Sequence, residues 1–375
     1  MKKMFVCLFI NVFVAIAITV TVTVTMIVTE VEANQVINQN PIFNDVNLER
    51  CVRNTIDGFQ GEFTAEILGS IKELDCFGEK IENISGVEKL TNLTSLYLEN
   101  NKISDISPIK NLHRLNTLSL RKNKITDISP LRELENLQIL LLWENSIVDI
   151  SPLENLLALK EISIFENQIE DLAPLKNLTN LTTLNMRHNN IKDISALENL
   201  LKLKKLALNH NQISDISALR SKTNLKELNL SENNISNIFD LKELKSLTSL
   251  SLSSNAIKEL VGLENMSDLK YLWLNNNQIS SEELVAIKDL TSLEGLYLGN
   301  NKITSIVDLQ NLKQLLMLHL SNNFIIDISP LSQMQNMVEL WLDNNCIVDF
   351  SALDGLNKLH NLVGKDKQNS DRCKM

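Results

Sequence analysis

The sequence predicts an α/β solenoid: a curved horseshoe with a parallel β-sheet on its concave side, 3-10 turns on its convex side and a small helical N-terminal cap. Three observations carry this. A short pattern, LxLxxNxI, recurs with a nearly fixed period of 22 residues. Its leucines alternate as they do in a strand with one buried face. The segments between strands are too short for α-helices, and prolines fix φ within them.

The N-terminus reads as an export signal. Lys2 and Lys3 form a short positive region, Met4 to Val28 carries no charge, and Val31-Glu32-Ala33 places small residues before a cleavage point. Residues 1–33 are therefore expected to be a signal peptide cleaved after Ala33. The apolar run of 25 residues would also span a bilayer as an uncleaved anchor, so a membrane is expected to be a partner only if it is retained. In both cases everything beyond residue 33 is exported, to the medium or the extracellular surface.

Residues 34–73 do not fit the repeat and are expected to form the cap. Val46, Leu48, Val52 and Ile56 mark one amphipathic helix, and Thr64 to Ile71 suggests a second. A solenoid exposes an apolar end unless something covers it.

The repeats occupy residues 74–363. The pattern's Asn falls at 101, 123, 145, 167, 189, 211, 233, 255, 277, 301, 323 and 345, twelve regular units with every step 22 residues except 277 to 301, which is 24. A degenerate unit precedes them, with Leu74, Cys76 and Ile81 in register and Glu79 in the Asn position. Twelve stacked strands predict a sheet of about 55–60 Å. Each Asn amide is placed to pair backbone groups of a buried turn that would otherwise stay unpaired. Asp105 to Pro108, Asp127 to Leu131 and Asp149 to Leu153 are expected as convex 3-10 turns. The two extra residues fall at Ser280 to Leu290, where Ser280-Ser281-Glu282-Glu283 suggests a capping box opening a helical turn. Residues 364–375 form a polar tail, and the end of the stack has only Leu356, Leu359 and Leu362 to cover it.

Composition fits this reading. The chain is 44% hydrophobic but only 5% aromatic, so its core must be aliphatic. A formal charge of −10 repels phosphate backbones and argues against nucleic acid. Beyond Cys7 there are four cysteines. The close pairs 51–76 and 346–373 suit disulfides in an exported chain, while four free thiols remain the alternative, because Cys76 sits at an inward position.

The outward-facing columns hold the candidate site. All three Trp and all three Tyr of the chain lie there, where burial would stabilise them least. Two patches emerge: Leu141, Trp143 and Phe165, and then Tyr271, Trp273, Tyr297, His319 and Trp341, with Arg187 between them. Strands favour aromatics in general, but aromatics grouped on a concave sheet are typical of protein-binding hot spots. A further column, Glu144, Glu166, His188, His210 and Glu232, has residue types able to hold a divalent metal, against the simpler reading of a solvated acid–base edge. No second shell fixes those rings, so no metal site is assigned. Hydrolase, metalloprotease, phosphate-loop and dinucleotide motifs are all missing, so the chain is read as non-catalytic and without a cofactor.

The repeat with Asn-x-Ile-x-Asp-Ile-Ser-Pro-Leu resembles that of the internalins and related bacterial leucine-rich-repeat surface proteins, over residues 41–363. Phe43-Asn44-Asp45-Val46-Asn47-Leu48-Glu49 and Glu73-Leu74-Asp75-Cys76 resemble the cap of that group and its passage into the first repeat. The resemblance implies a leucine-rich-repeat horseshoe that binds host or cell-surface proteins on its concave face. It does not extend to an Ig-like domain, a sorting signal or wall-binding modules. The alternative is a regulatory scaffold or enzyme inhibitor of the class seen in protein phosphatase 1 regulators. The export signal argues against the scaffold, and a monomeric binder of a protein partner is expected.

Overall fold

A computed structural model describes residues 41–369, so the signal segment and Cys373 lie outside the described residues. Contacts divide the chain at Asn44, and Asp45 onward is one compact unit. Helix α1 (Val46–Thr55) starts where Asp45 accepts from the backbone N–H groups of Asn47 and Leu48. The other oxygen of the same carboxylate accepts from Glu82 and Asn83 N–H, which ties the cap to the first repeat. Helix α2 (Ala65–Ser70) is capped by Thr64. A disulfide joins Cys51 of α1 to Cys76, with a sequence separation of 25. Cys346 is disulfide-bonded as well.

Among the described residues, fourteen parallel strands of three residues each form one open sheet in sequence order. They are β1 (Glu73–Asp75), β2 (Ser95–Tyr97), β3 (Thr117–Ser119), β4 (Ile139–Leu141), β5 (Glu161–Ser163), β6 (Thr183–Asn185), β7 (Lys205–Ala207), β8 (Glu227–Asn229), β9 (Ser249–Ser251), β10 (Tyr271–Trp273), β11 (Gly295–Tyr297), β12 (Met317–His319), β13 (Glu339–Trp341) and β14 (Asn361–Val363). Twelve was an undercount. The degenerate unit supplies β1, and Leu362 supplies the alternating leucine of a last strand. At about 4.8 Å per strand the sheet runs about 62 Å.

The inward leucines and isoleucines of the repeats are almost wholly excluded from solvent, which is the main source of stability in this fold. One inward column, otherwise leucine or methionine, has a charged member: Lys222 is fully buried there, and its ammonium donates to the Glu198 carbonyl at 2.6 Å. Burial holds its pKa below the usual lysine value.

The Asn ladder forms as the sequence predicts. Asn189 accepts from Ile169 N–H at 3.0 Å, and its amide donates to Ile164 and Met186 carbonyls at 3.2 and 3.0 Å. Every ladder Asn thus joins its own turn to the preceding repeat. The residue just before each Asn is left-handed, with φ between 52° and 58° from Asn100 to Asn344. On the convex side, Asp105 accepts from Ser107 N–H at 2.8 Å and opens a 3-10 turn, and the same arrangement recurs at Asp127 and Asp149.

One expectation needs correction. Ser281–Ile287 does form a helical turn, but it is 3-10 and no capping box closes it. Ser280 bonds Glu282, and Glu283 instead accepts from Leu260 N–H in the preceding repeat at 3.0 Å. Within the polar tail, one residue joins the repeat stack. Gln368 takes over the ladder at its end: its amide donates to Leu342 and Gly364 carbonyls, and it accepts from Ile347 N–H. Its extra methylene compensates for standing one residue beyond the expected Asn position. Leu356 is buried, whereas Leu359 and Leu362 are half-exposed, so the apolar end is only partly covered.

Candidate protein-binding face

Leu96 and Leu98 point inward and Tyr97 between them points out, and this alternation repeats along the stack. The register pairs Trp273 with Tyr297, Tyr297 with His319, and His319 with Trp341. Outward residues of neighbouring repeats are therefore about 4.8 Å apart. That is close to the spacing of stacked rings, so aromatics in adjacent repeats meet.

They meet along β10–β13. Tyr271 and Trp273 have ring centroids 5.8 Å apart, and Trp273 and Tyr297 stack at 5.4 Å with planes 10° apart. Tyr297–His319 and His319–Trp341 are edge contacts at 6.5 and 5.7 Å. All five side chains are half-buried. Tyr271 is oriented by its hydroxyl, which donates to Glu294 at 3.0 Å, while Lys270 holds the other carboxylate oxygen at 2.8 Å. The bond to Glu294 raises the Tyr271 pKa, while the Lys270 bond first and the Tyr271 bond second lower that of Glu294. Burial lowers the pKa of His319, with Asp343 opposing it, so the ring favours the neutral form.

Two glycines make room for this run. A Cβ on Gly295 would lie 2.8 Å from Tyr271 Cδ1 and 3.2 Å from the Tyr297 ring, and one on Gly299 would lie 3.0 Å from His319. Sequence reasoning passed over both. The available signal was a glycine in an outward column beside aromatic neighbours.

The other patch is built differently. Arg121 lies 3.4 Å from Glu99 and 5.1 Å from the Trp143 ring centre. Trp143 stacks on Phe165 at 4.9 Å and 11°, and the Arg187 guanidinium lies 3.5 Å over the far face of Phe165. Five residues in five successive repeats form one pile. Phe165 is only 7% exposed, and both its faces are taken. Leu141, Trp143 and Arg187 are half-buried.

Between the patches lies a concavity of about 430 Å³ lined from β6 to β10, with Asn185, Ala207, Asn229 and Ser251 along its floor and Trp273 at one end. The rim column of Glu144, Glu166, His188, His210 and Glu232 is the left-handed residue of each turn. His188 and His210 stack at 3.8 Å, and His210 Nδ1 is 2.6 Å from Glu232. Among the described residues no group of three or more such side chains is arranged to hold a metal ion. No helix among them is long and apolar enough to cross a membrane.

Residues 69–111, 91–133, 135–177, 179–221, 267–311 and 313–355 match the family described as Leucine Rich repeats (2 copies), and residues 202–257 match one described as Leucine rich repeat. With the ladder and the sheet, this defines the class as a leucine-rich-repeat protein. A solved internalin (inlF) from Listeria monocytogenes is 40% identical, over 86% of this chain and 95% of that one, with a TM-score of 0.84. Internalin C2 (inlC2) from the same species is 34% identical over 56% of this chain and 95% of its own, with a TM-score of 0.55. The plant peptide hormone receptor RGFR1, solved in complex with RGF2, is 25% identical over 74% of this chain and 52% of its own, with a TM-score of 0.63. No curated protein sequence matches at a significant level. The chain belongs to the internalin family of leucine-rich-repeat proteins.

Proposed function

We propose that the chain is an exported, non-catalytic binding module. It recognises a protein partner through the aromatic-rich concave face, as a monomer and without a cofactor or nucleic acid. Residues 1–33 direct its export, so it acts in the medium or at the extracellular surface. The observation that carries the reading is the run Tyr271, Trp273, Tyr297, His319 and Trp341, rings side by side on four consecutive strands and outside the leucine core. A rigid sheet holds them, so little side-chain entropy is lost when a partner docks. The plant receptor in complex with RGF2 supports the use of this fold to hold a polypeptide ligand.

The test is a pull-down with the chain from residue 34 against host-cell and bacterial-surface extracts, beside its Trp273→Ala/Trp341→Ala variant. A partner captured by the first and lost by the second, with unchanged thermal unfolding, supports the reading. Equal capture by both contradicts it.

A further inference from the structure

The concavity between the two aromatic patches belongs to neither, and its chemistry differs from both. Its outward side chains are Thr183, Asn185, Lys205, Ala207, Glu227, Asn229, Ser249 and Ser251, with Trp273 as an end wall. Its volume of about 430 Å³ falls in the lower part of the roughly 300–1,000 Å³ of small-molecule sites. The two charges in it form an ion pair, Lys205 Nζ to Glu227 Oε1 at 2.7 Å, so the lining is neutral.

The two asparagines are oriented alike. Asn185 Oδ1 accepts from Arg187 N–H at 3.4 Å, and Asn229 Oδ1 accepts from Ser231 N–H at 3.1 Å and from the Ser231 hydroxyl at 2.8 Å. Each oxygen is engaged by its own strand two residues on. The Nδ2 group of each donates to nothing else among the described residues. Two uncommitted amide donors thus stand on β6 and β8, about 9.6 Å apart, with Ala207 on β7 leaving the space between them open. Hydroxyls of Thr183 and Ser249 supply further donors and acceptors, and Ser251, whose proton goes to the Ser231 hydroxyl, supplies a further acceptor.

We propose that this trough is a binding subsite for a neutral oligosaccharide of about two sugar rings. Three features select that class. Side-chain amides and hydroxyls match sugar hydroxyls, which both donate and accept. An indole at one end offers an apolar face to the C–H side of a pyranose. The strand spacing of about 4.8 Å is near the length that one pyranose adds to a chain, so consecutive rings meet consecutive repeats. An anionic ligand would meet Glu227 beside Lys205 in an acidic protein, and the outward side chains offer an apolar ligand only Ala207 and the Trp273 wall.

The experiment uses four disaccharides as probes: lactose, cellobiose, maltose and N,N′-diacetylchitobiose. Each is titrated at millimolar concentration into the intact chain, read by saturation-transfer NMR and tryptophan fluorescence. The expected result is saturable binding of at least one, weakened about tenfold or more in an Asn185→Ala/Asn229→Ala variant that melts like the parent. Val148→Ala, exposed and outside the trough, should leave that binding unchanged. No saturation with any of the four overturns the proposal, and so does equal binding by the asparagine variant. Neither outcome bears on the protein-binding reading, because Asn185 and Asn229 lie outside the aromatic run.

Discussion

The two aromatic patches carry the same sequence signal and are physically unlike. In the stack from Arg121 to Arg187, every aromatic face is covered by a neighbour, and Phe165 is closed off between an indole and a guanidinium. In the run from Tyr271 to Trp341, no cation among the described residues lies over any ring, and two glycines keep the space that the rings need. An outward column therefore sets which residues can meet, while the neighbours one repeat away decide whether they satisfy each other or remain available to a partner. On this contrast we propose that the first patch acts chiefly as a clamp on the sheet and the second as the platform.

If that contrast is right, mutations should separate stability from binding. Phe165→Ala removes a sandwiched ring and should lower unfolding stability by about 3–5 kcal/mol, measured by denaturant melts, with partner affinity nearly unchanged. A large loss of affinity with an unchanged melt would erase the distinction. Asn189→Ala provides the scale for a purely structural change: an unpaired buried turn should cost about 1–3 kcal/mol, with no effect specific to either patch. Gly295→Val pushes on Tyr271 and Tyr297. It should weaken partner binding more than it shifts the melt, and a crystal structure of the variant with both rings unmoved would refute the role given to the glycine. Arg187→Gln removes the cation over Phe165 and should cost about 0.5–1 kcal/mol of stability.

The smallest effect concerns pH. Burial lowers the pKa of His319 from its ordinary value of 6.5. The unfolded chain then binds the proton more readily than the folded one between the lowered folded value and 6.5. Stability should fall as pH drops through that window and return as pH rises above it. His319→Gln should flatten part of this slope in melts taken between neutral and mildly acidic pH. A slope unchanged by the substitution would assign the effect to another group, such as His188, whose pKa burial also lowers.

The repeat made the fold legible, because a fixed period of 22 residues specifies both the inward leucines and the Asn of each turn. What escaped had its cause in partners rather than in pattern. Gln368 completes the ladder from an off-register position because its side chain is one methylene longer, which a search for Asn misses. The left-handed residue before each ladder Asn explains the charged rim column: those side chains extend from a turn, and their acid–base pairing is local. Lys222 broke the leucine column without notice because its ammonium reaches a carbonyl that only the fold brings near. In the site, the columns were readable residue by residue. The burial of Phe165 was not, because it depends on Trp143 and Arg187 being 22 residues away on either side.

The central claim is that the run from Tyr271 to Trp341 serves binding and not folding. It is tested most directly by measuring thermal unfolding and partner affinity together for Trp273→Ala. The account predicts a nearly unchanged melt and affinity weakened by at least about 2 kcal/mol. A strongly lowered melting temperature with affinity retained would show that Trp273 is structural and that the platform has been placed on the wrong part of the sheet.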